Sequence, residues 1–283
     1  MFTGGELSGV LYGLMSAASW GGGDYTGGAA TRRMHALSVV AVSHLIGLML
    51  LLALALLSGE RLPSTPDLLW GAGAGLAGAV GLGALYQALA VGKAGVAAPI
   101  TSVVSASLPI GWSFLTLGLP SGQIIVGLVL GLIGVLLVSQ SGDAAADRAS
   151  VTLALVSGLG FGVFYILIGQ FSEGAVFYPL VAARCASAFA TLAIALVLRK
   201  SLTPPTRGAF GLLALAGALD VGGNLFYTLA AQAGRIDVAA VVASLYPAVT
   251  ILLSWLLRGE RIVRWQGVGI GLGLLAVVLI SAG

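Results

Sequence analysis

Long apolar stretches alternate with short polar breaks along the whole of this chain. The breaks are Thr31-Arg32-Arg33, Gly59-Glu60-Arg61, Gly92-Lys93, Pro120-Ser121-Gly122, Ser172-Glu173-Gly174, Gly234-Arg235 and the runs 141–150, 199–207 and 258–264. Ten stretches lie between them: 7–30, 36–58, 67–91, 95–118, 122–140, 150–172, 176–198, 208–232, 237–257 and 263–281. Each approaches the ~20 residues that a helix needs to cross a hydrocarbon core about 30 Å thick. The pattern therefore predicts an all-α integral membrane protein with ten transmembrane helices. The opening MFTGGELSGV has no basic segment and no cleavage-type ending, so the first stretch is expected to be a retained helix.

Composition supports the same solvent. Hydrophobic residues make up 58% of the 283 positions and charged residues 8%, against about 25% charged in soluble domains. So few charges cannot coat a water-facing surface, and no stretch remains for a soluble domain. The net charge of +3 does not point to nucleic acid, because the basic residues stand singly in short loops and form no basic face. The lone Cys185 excludes an internal disulfide and reads as a small packing residue.

The chain also repeats itself. A shift of 142 positions lays Gly234-Arg235 on Gly92-Lys93, Val238-Ala239-Ala240 on Val96-Ala97-Ala98, Ser244 on Ser102, and Gly269 and Gly273 on Gly127 and Gly131. A shift of 141 lays Ser157, Phe161 and Gly162 on Ser16, Trp20 and Gly21. This near-constant offset predicts two five-helix units, residues 1–140 and 150–283. Five crossings per unit is an odd number, so the second unit is expected to be inverted, with a site near the midplane between the two. Ten Lys/Arg fall in the odd-numbered loops and two, Arg61 and Arg235, in the even-numbered ones. That bias places the odd loops in the cytoplasm and both termini outside.

Glycine is abundant, with 43 residues. Gly127 with Gly131, Gly267 with Gly271, and Gly269 with Gly273 form small-xxx-small ridges on the fifth and tenth spans, suited to internal packing or to a homodimer contact. Gly21-Gly22-Gly23 beside Asp24 is expected to loosen the first helix and bare its backbone, which only a protein interior or a cavity tolerates. Pro109 and Pro247 lie inside spans, where they remove backbone hydrogen bonds.

Certain motifs place the chain in a family. Trp20-Gly21 closes a run of small residues, and Pro179 precedes Ala183-Arg184. Gly234 leads to Ser244-Leu245-Tyr246-Pro247, followed by Gly259-Glu260-Arg261 and a glycine-rich last span. Together they resemble the EamA branch of the drug/metabolite transporter superfamily over essentially the whole chain. Two places depart from the family: Gly118-Leu119-Pro120 stands where Gly-Glu-Arg is frequent, and Ser43-His44 where an arginine is common. The resemblance implies a secondary transporter of small metabolites in the cell (inner) membrane, working by alternating access. It also implies a cavity lined by spans one, three, four, six, eight and nine, and termini in the cytoplasm, the opposite of the loop-charge reading. Export of amino acids or related compounds, with or without proton coupling, is the expected activity. Uptake, a facilitated permease and a non-transporting assembly partner are the alternatives.

A charged side chain at the centre of a span costs about 2.5–3.5 kcal/mol on insertion scales, which makes each one a candidate for function. Four occur: Asp24, His44, Arg184 and Asp220. Asp220, Asn224 and Tyr227 share one helical face. They form a polar stripe toward a cavity, with Asp220 accepting a proton or pairing with a substrate amine; alternatively Asp220 is tied structurally to Arg184 or His44. Asp24, one turn after Trp20, faces the cavity or caps its helix near the membrane surface. Arg184 binds an anion or serves as an interfacial or pairing residue. His44 titrates in the physiological range or packs as a hydrogen-bonded histidine. Trp20, Gln87, Ser102, Ser244 and Tyr246 complete the candidate binding set, and Trp20, Phe161, Tyr165, Tyr86, Tyr227 and Tyr246 suit a cavity for an organic molecule. The expected partners are a small-molecule substrate and membrane lipid, with no nucleic acid, no cofactor and no metal, the protein acting as a monomer or homodimer. No Cys/His cluster and no phosphate-cradling loop points to catalysis. An intramembrane enzyme would need paired groups, and only Asp24 with Asp220 offers such a pair.

Overall fold

The computed structural model describes residues 4–34, 36–91, 94–139, 148–197 and 207–282. These form eleven helices: α1 (Gly4–Thr31), α2 (Ala36–Ser58), α3 (Thr65–Val91), α4 (Ala94–Leu117), α5 (Gly122–Ser139), α6 (Arg148–Ile168), α7 (Phe177–Val197), α8 (Arg207–Ala233), α9 (Ile236–Ala243), α10 (Tyr246–Arg258) and α11 (Arg264–Ala282). No strand occurs among the described residues. The eleventh helix arises because the ninth span is broken. At Ser244-Leu245 the Leu245 N–H turns to the Val242 carbonyl, and Pro247 then sits in the first turn of α10, where its missing N–H leaves nothing unpaired. Pro109 has no such effect, and α4 runs through it as one helix.

Nine stretches of the described residues are long and apolar enough to cross a membrane, α9 and α10 counting together as Ile236–Arg258. The exception is α1, where Asp24, serines and glycines dilute the apolar character. Its 28 residues still span about 42 Å, so ten crossings follow if α1 is included. The outer surface is apolar, with Leu45, Met49, Leu56, Leu115, Phe189, Leu274 and Val278 all exposed. The interior is lined by Ala, Gly and Ser, the inverse of a water-soluble core and the pattern of close helix packing in lipid.

Most of the packing runs between the two halves of the chain. α1 lies along α8 and α3 along α6; α5 packs on α11, α3 on α7 and α2 on α8. Two groups result, α1, α8, α9 and α10, and α3, α4, α6 and α7, with α2 packed on both, against α8 and α7 alike. The contacts recur at the offset of 141 that the sequence shows. Gly162 meets Leu108 of α4 as Gly21 meets Val249 of α10, and Gly81 lies at Gly160 as Gly222 lies at Ser19.

The glycines explain how closely the helices approach. A Cβ on Gly134 would stand 2.9 Å from the Gly269 carbonyl oxygen, and one on Gly269 would stand 2.7 Å from the Val138 nitrogen. Gly127, Gly134 and Gly269 thus form a seam between α5 and α11, and Gly131 and Gly273 beside it admit Val241 and Leu245, the internal-packing alternative for these ridges. Gly267 and Gly271 face open space. The expected loosening at Gly21-Gly22-Gly23 does not occur: α1 is continuous there. The three glycines instead admit neighbours, Gly21 taking the Tyr246 carbonyl, Gly22 the Leu219 side chain and Gly23 the backbone of α8 at Ala216 and Asp220.

At the end of the molecule that carries the even-numbered loops, side chains bind the segments together. The Glu60 carboxylate accepts from the Val176, Phe177 and Tyr178 amides (3.2, 2.7 and 3.3 Å), capping α7. Asp67 accepts from the Ser172 amide at 2.8 Å, and the Gln232 amide of α8 donates to the Ser172 and Ala175 carbonyls, each at 3.0 Å. Arg235 pairs with the fully buried Asp237 at 2.9 Å and donates to Ser113 of α4 and the Gly118 carbonyl. A cleft of about 700 Å³ opens here between residues 58–64, residues 172–177 and Leu225 and Leu229 of α8.

Candidate functional site

All four charged residues predicted within spans converge on one place. Arg184 of α7 donates from Nη2 to Oδ2 of Asp220 of α8 in an ion pair. The Arg184 side chain is 9% exposed and that of Asp220 35%, so the pair is set into the protein with one open edge. Gly47 of α2 lies beside the pair: a Cβ there would meet Arg184 Nε at 3.9 Å, an ordinary contact, and Val221 of α8 at 3.1 Å. His44, less than one turn before Gly47, lies within electrostatic reach of both partners, and its Nδ1 is buried with no hydrogen-bond partner among the described residues.

Asp24 approaches from α1. A Cβ on Gly23 would lie 3.6 Å from the Asp220 nitrogen. The Asp24 carboxylate is in electrostatic reach of Asp220, Tyr165 and Tyr246. Asp24 is exposed, and these neighbours place that exposure on the inner face of α1, away from lipid. Four helices from both halves therefore supply two acids, one arginine and one histidine, and the Arg184–Asp220 pair joins the two packing groups.

An aromatic cluster adjoins the charges. The Trp20 ring centroid is 5.6 Å from Tyr165, 5.9 Å from Tyr227 and 6.4 Å from Tyr246, and Tyr165 and Tyr227 are 4.8 Å apart. These are separations at which rings attract. Trp20 lies on Gly223 of α8, where any side chain would collide with the indole. Trp20 and Tyr246 are partly exposed, whereas Tyr227 is fully buried.

The remaining candidates fall in different surroundings. Asn224 donates from Nδ2 to the Asp220 carbonyl at 2.7 Å, and Tyr227 donates to the Tyr165 carbonyl at 3.3 Å. The stripe 220–224–227 shares one face as its spacing requires, but two of its three members are turned to backbone carbonyls. Ser102 and Ser244 are buried, the first beside the Tyr246 phenol and the second beside that of Tyr165. Gln87 is exposed on α3; the Tyr86 side chain is outside the described residues. The spans also bring in two residues absent from the predicted set. Ser16 donates to the Gly223 carbonyl at 2.8 Å and Thr250 to the Gly21 carbonyl at 3.1 Å. Both are small hydroxyl residues in apolar runs; Ser16 is marked by the repeat, where Ser157 falls on it at the offset of 141, and Thr250 by nothing in its spacing. Tyr165 does carry a signal, since the offset of 141 makes it the counterpart of Asp24. Among the described residues no group of three His, Cys, Asp or Glu can hold a metal ion.

The arrangement can take a small ion or polar molecule between fixed charges and aromatic faces, inside a helix bundle with an apolar exterior. Comparison with known proteins gives this bundle its relatives. The pattern of the EamA-like transporter family matches residues 7–140 and again residues 148–282. No curated protein matches the chain. Among solved structures that resemble it, one crystal structure superposes with a TM-score of 0.78 at 19% identity, over 96% of this chain and 96% of its own. At that identity the likeness shows the fold alone. The family pattern, met twice and covering nearly every residue, goes further: the chain belongs to the EamA-like transporter family and is a multi-pass membrane transporter of small molecules.

Proposed function

We propose that this chain is a secondary transporter that exports amino acids or related amine-bearing metabolites across the cell (inner) membrane by alternating access. The observation that carries the reading is the Arg184–Asp220 ion pair, which links the α1–α8 group to the α3–α6–α7 group within the span of the membrane. An ion pair at such a depth is expensive to bury and persists where it has work to do. Placed between two packing groups, it ties their relative position to what occupies the site. A substrate charge that competes for either partner weakens the tie, and an empty site restores it.

The units 1–140 and 150–283 act as inverted repeats in this reading, with the site between them. Because their helices pair across the halves, the bodies that rock are the two mixed groups and not the two halves of the sequence. Asp220 serves as the exchangeable partner, for a substrate amine or for a proton.

Counterflow tests the proposal. Proteoliposomes loaded with a mixture of amino acids and amines are challenged with each labelled compound outside. Accumulation of at least one label, abolished in D220N, is the expected result. Wild-type accumulation in a folded D220N variant would remove Asp220 from the mechanism, and no accumulation of any label would remove this substrate class.

A further inference from the structure

The charges at the site do not balance. Arg184 neutralises Asp220, while Asp24 has no hydrogen bond or ion pair with any described residue and is exposed on the inner face of α1. The charged group in electrostatic reach of it is a second acid, Asp220, already paired with Arg184, so Asp24 is the acid of the site that has no partner cation among the described residues. His44 is in electrostatic reach of Arg184 and Asp220. The surface beside Asp24 is aromatic: Trp20 is one turn earlier on the same face of α1, its ring 6.4 Å from Tyr246 in an edge-to-face arrangement. Both rings are partly exposed.

A carboxylate next to partly exposed aromatic rings recognises an organic cation. Coulomb attraction holds the charge, and the electron-rich ring faces attract an ammonium group that the site has stripped of water. An anion meets the opposite, two acids and an arginine already engaged. A zwitterion gains at Asp24 but must bring its own carboxylate into the same negative field, unless it first draws Arg184 off Asp220 and leaves that acid unpaired.

We infer that Asp24 is the anionic subsite for an organic ammonium ion, whose apolar body lies on Trp20 and Tyr246 and which carries no free carboxylate beside its amine. The inference rests on the transporter reading above and narrows it, from amino acids and related compounds to amines, amino-acid esters or amides, and compounds with a second basic group.

Three probes with one ring and different charges test it: phenethylammonium, zwitterionic phenylalanine and anionic 3-phenylpropionate. Each is titrated calorimetrically into the purified full-length protein and into its D24N and D24E variants. The expected order is phenethylammonium first, about tenfold or more tighter than phenylalanine, with no detectable binding of phenylpropionate, since a charge-assisted contact carries roughly that factor. D24N loses the preference for the cation, and D24E, which keeps the charge, retains it. Phenylalanine binding as tightly as the amine, unchanged amine binding in D24N, or no binding of the amine to folded wild type would each overturn the inference. The comparison within wild type stands even where D24N fails to fold. Counterflow of labelled phenethylammonium separates the two readings: binding without counterflow sinks the transport function and leaves the subsite, whereas counterflow of phenylalanine in preference to the amine keeps transport and sinks the subsite.

Discussion

Removing the Arg184 guanidinium would leave the Asp220 carboxylate set into the bundle with no countercharge, and removing Asp220 would strand a guanidinium that is 9% exposed. Breaking a fully buried pair from one side costs about 3–5 kcal/mol. Asp220 keeps an open edge, so about 1–3 kcal/mol is the expected loss for R184A, read as a lower melting temperature in detergent. The double variant R184A/D220A should recover part of that loss, because neither charge is left alone. Additive losses in this cycle would mean that the two residues do not act as a pair. Each of the four charges is visible in the sequence as a residue out of place in an apolar span. Their meeting is not visible, because it depends on how α1, α2, α7 and α8 pack, and helical spacing says nothing of distances between spans. Asn224 and Tyr227 show the same boundary at close range: spacing puts them on the face of Asp220, but the carbonyls that take their protons come from the completed fold.

Helices that touch at glycine respond sharply to one methyl group. G134A would drive a Cβ to 2.9 Å from the Gly269 carbonyl oxygen, and overpacking of this sort costs about 1–3 kcal/mol. G271A, on the same α11 but facing open space, removes a poor helix former and should leave stability unchanged or raise it by up to about 1 kcal/mol. Thermal unfolding of the two variants in one detergent checks the contrast, and equal losses would place Gly271 in a contact of its own. The spans themselves were plain from the apolar runs, with most ends displaced by three residues or fewer. The ninth is the exception. Its break at Ser244-Leu245 leaves no mark in hydropathy, and Pro109 and Pro247 look alike in sequence. What separates them is position, since α10 begins at Tyr246 while α4 has a full turn on either side of Pro109.

The exposed face of α1 runs from Asp24 to Gly28, toward the odd-loop end of the molecule, and nothing lies within 4 Å of a Cβ on Gly28. The opposite end is bound by Gln232 and Arg235, which reach from one packing group to the other. A G28C variant in a C185S background should therefore react with a membrane-impermeant maleimide added on the odd-loop side and resist it from the other. Labelling only from the even-loop side would reverse the assignment. At this scale the duplication is the most legible feature, since the offset of 141 recurs both in residue identities and in the contacts they make. The interleaving of the halves is not legible, because a repeat specifies like sequences and leaves open which copies touch. That interleaving bears on how the chain is made. Asp24 enters the membrane about 160 residues before Arg184 leaves the ribosome. At roughly 5–20 residues per second that is an interval on the order of ten to thirty seconds. During it the glycine faces of α1, α3 and α5 have no partner helix to cover them, so the nascent first half must be sheltered at its insertion site, or keep its polar groups in water, until the second half arrives.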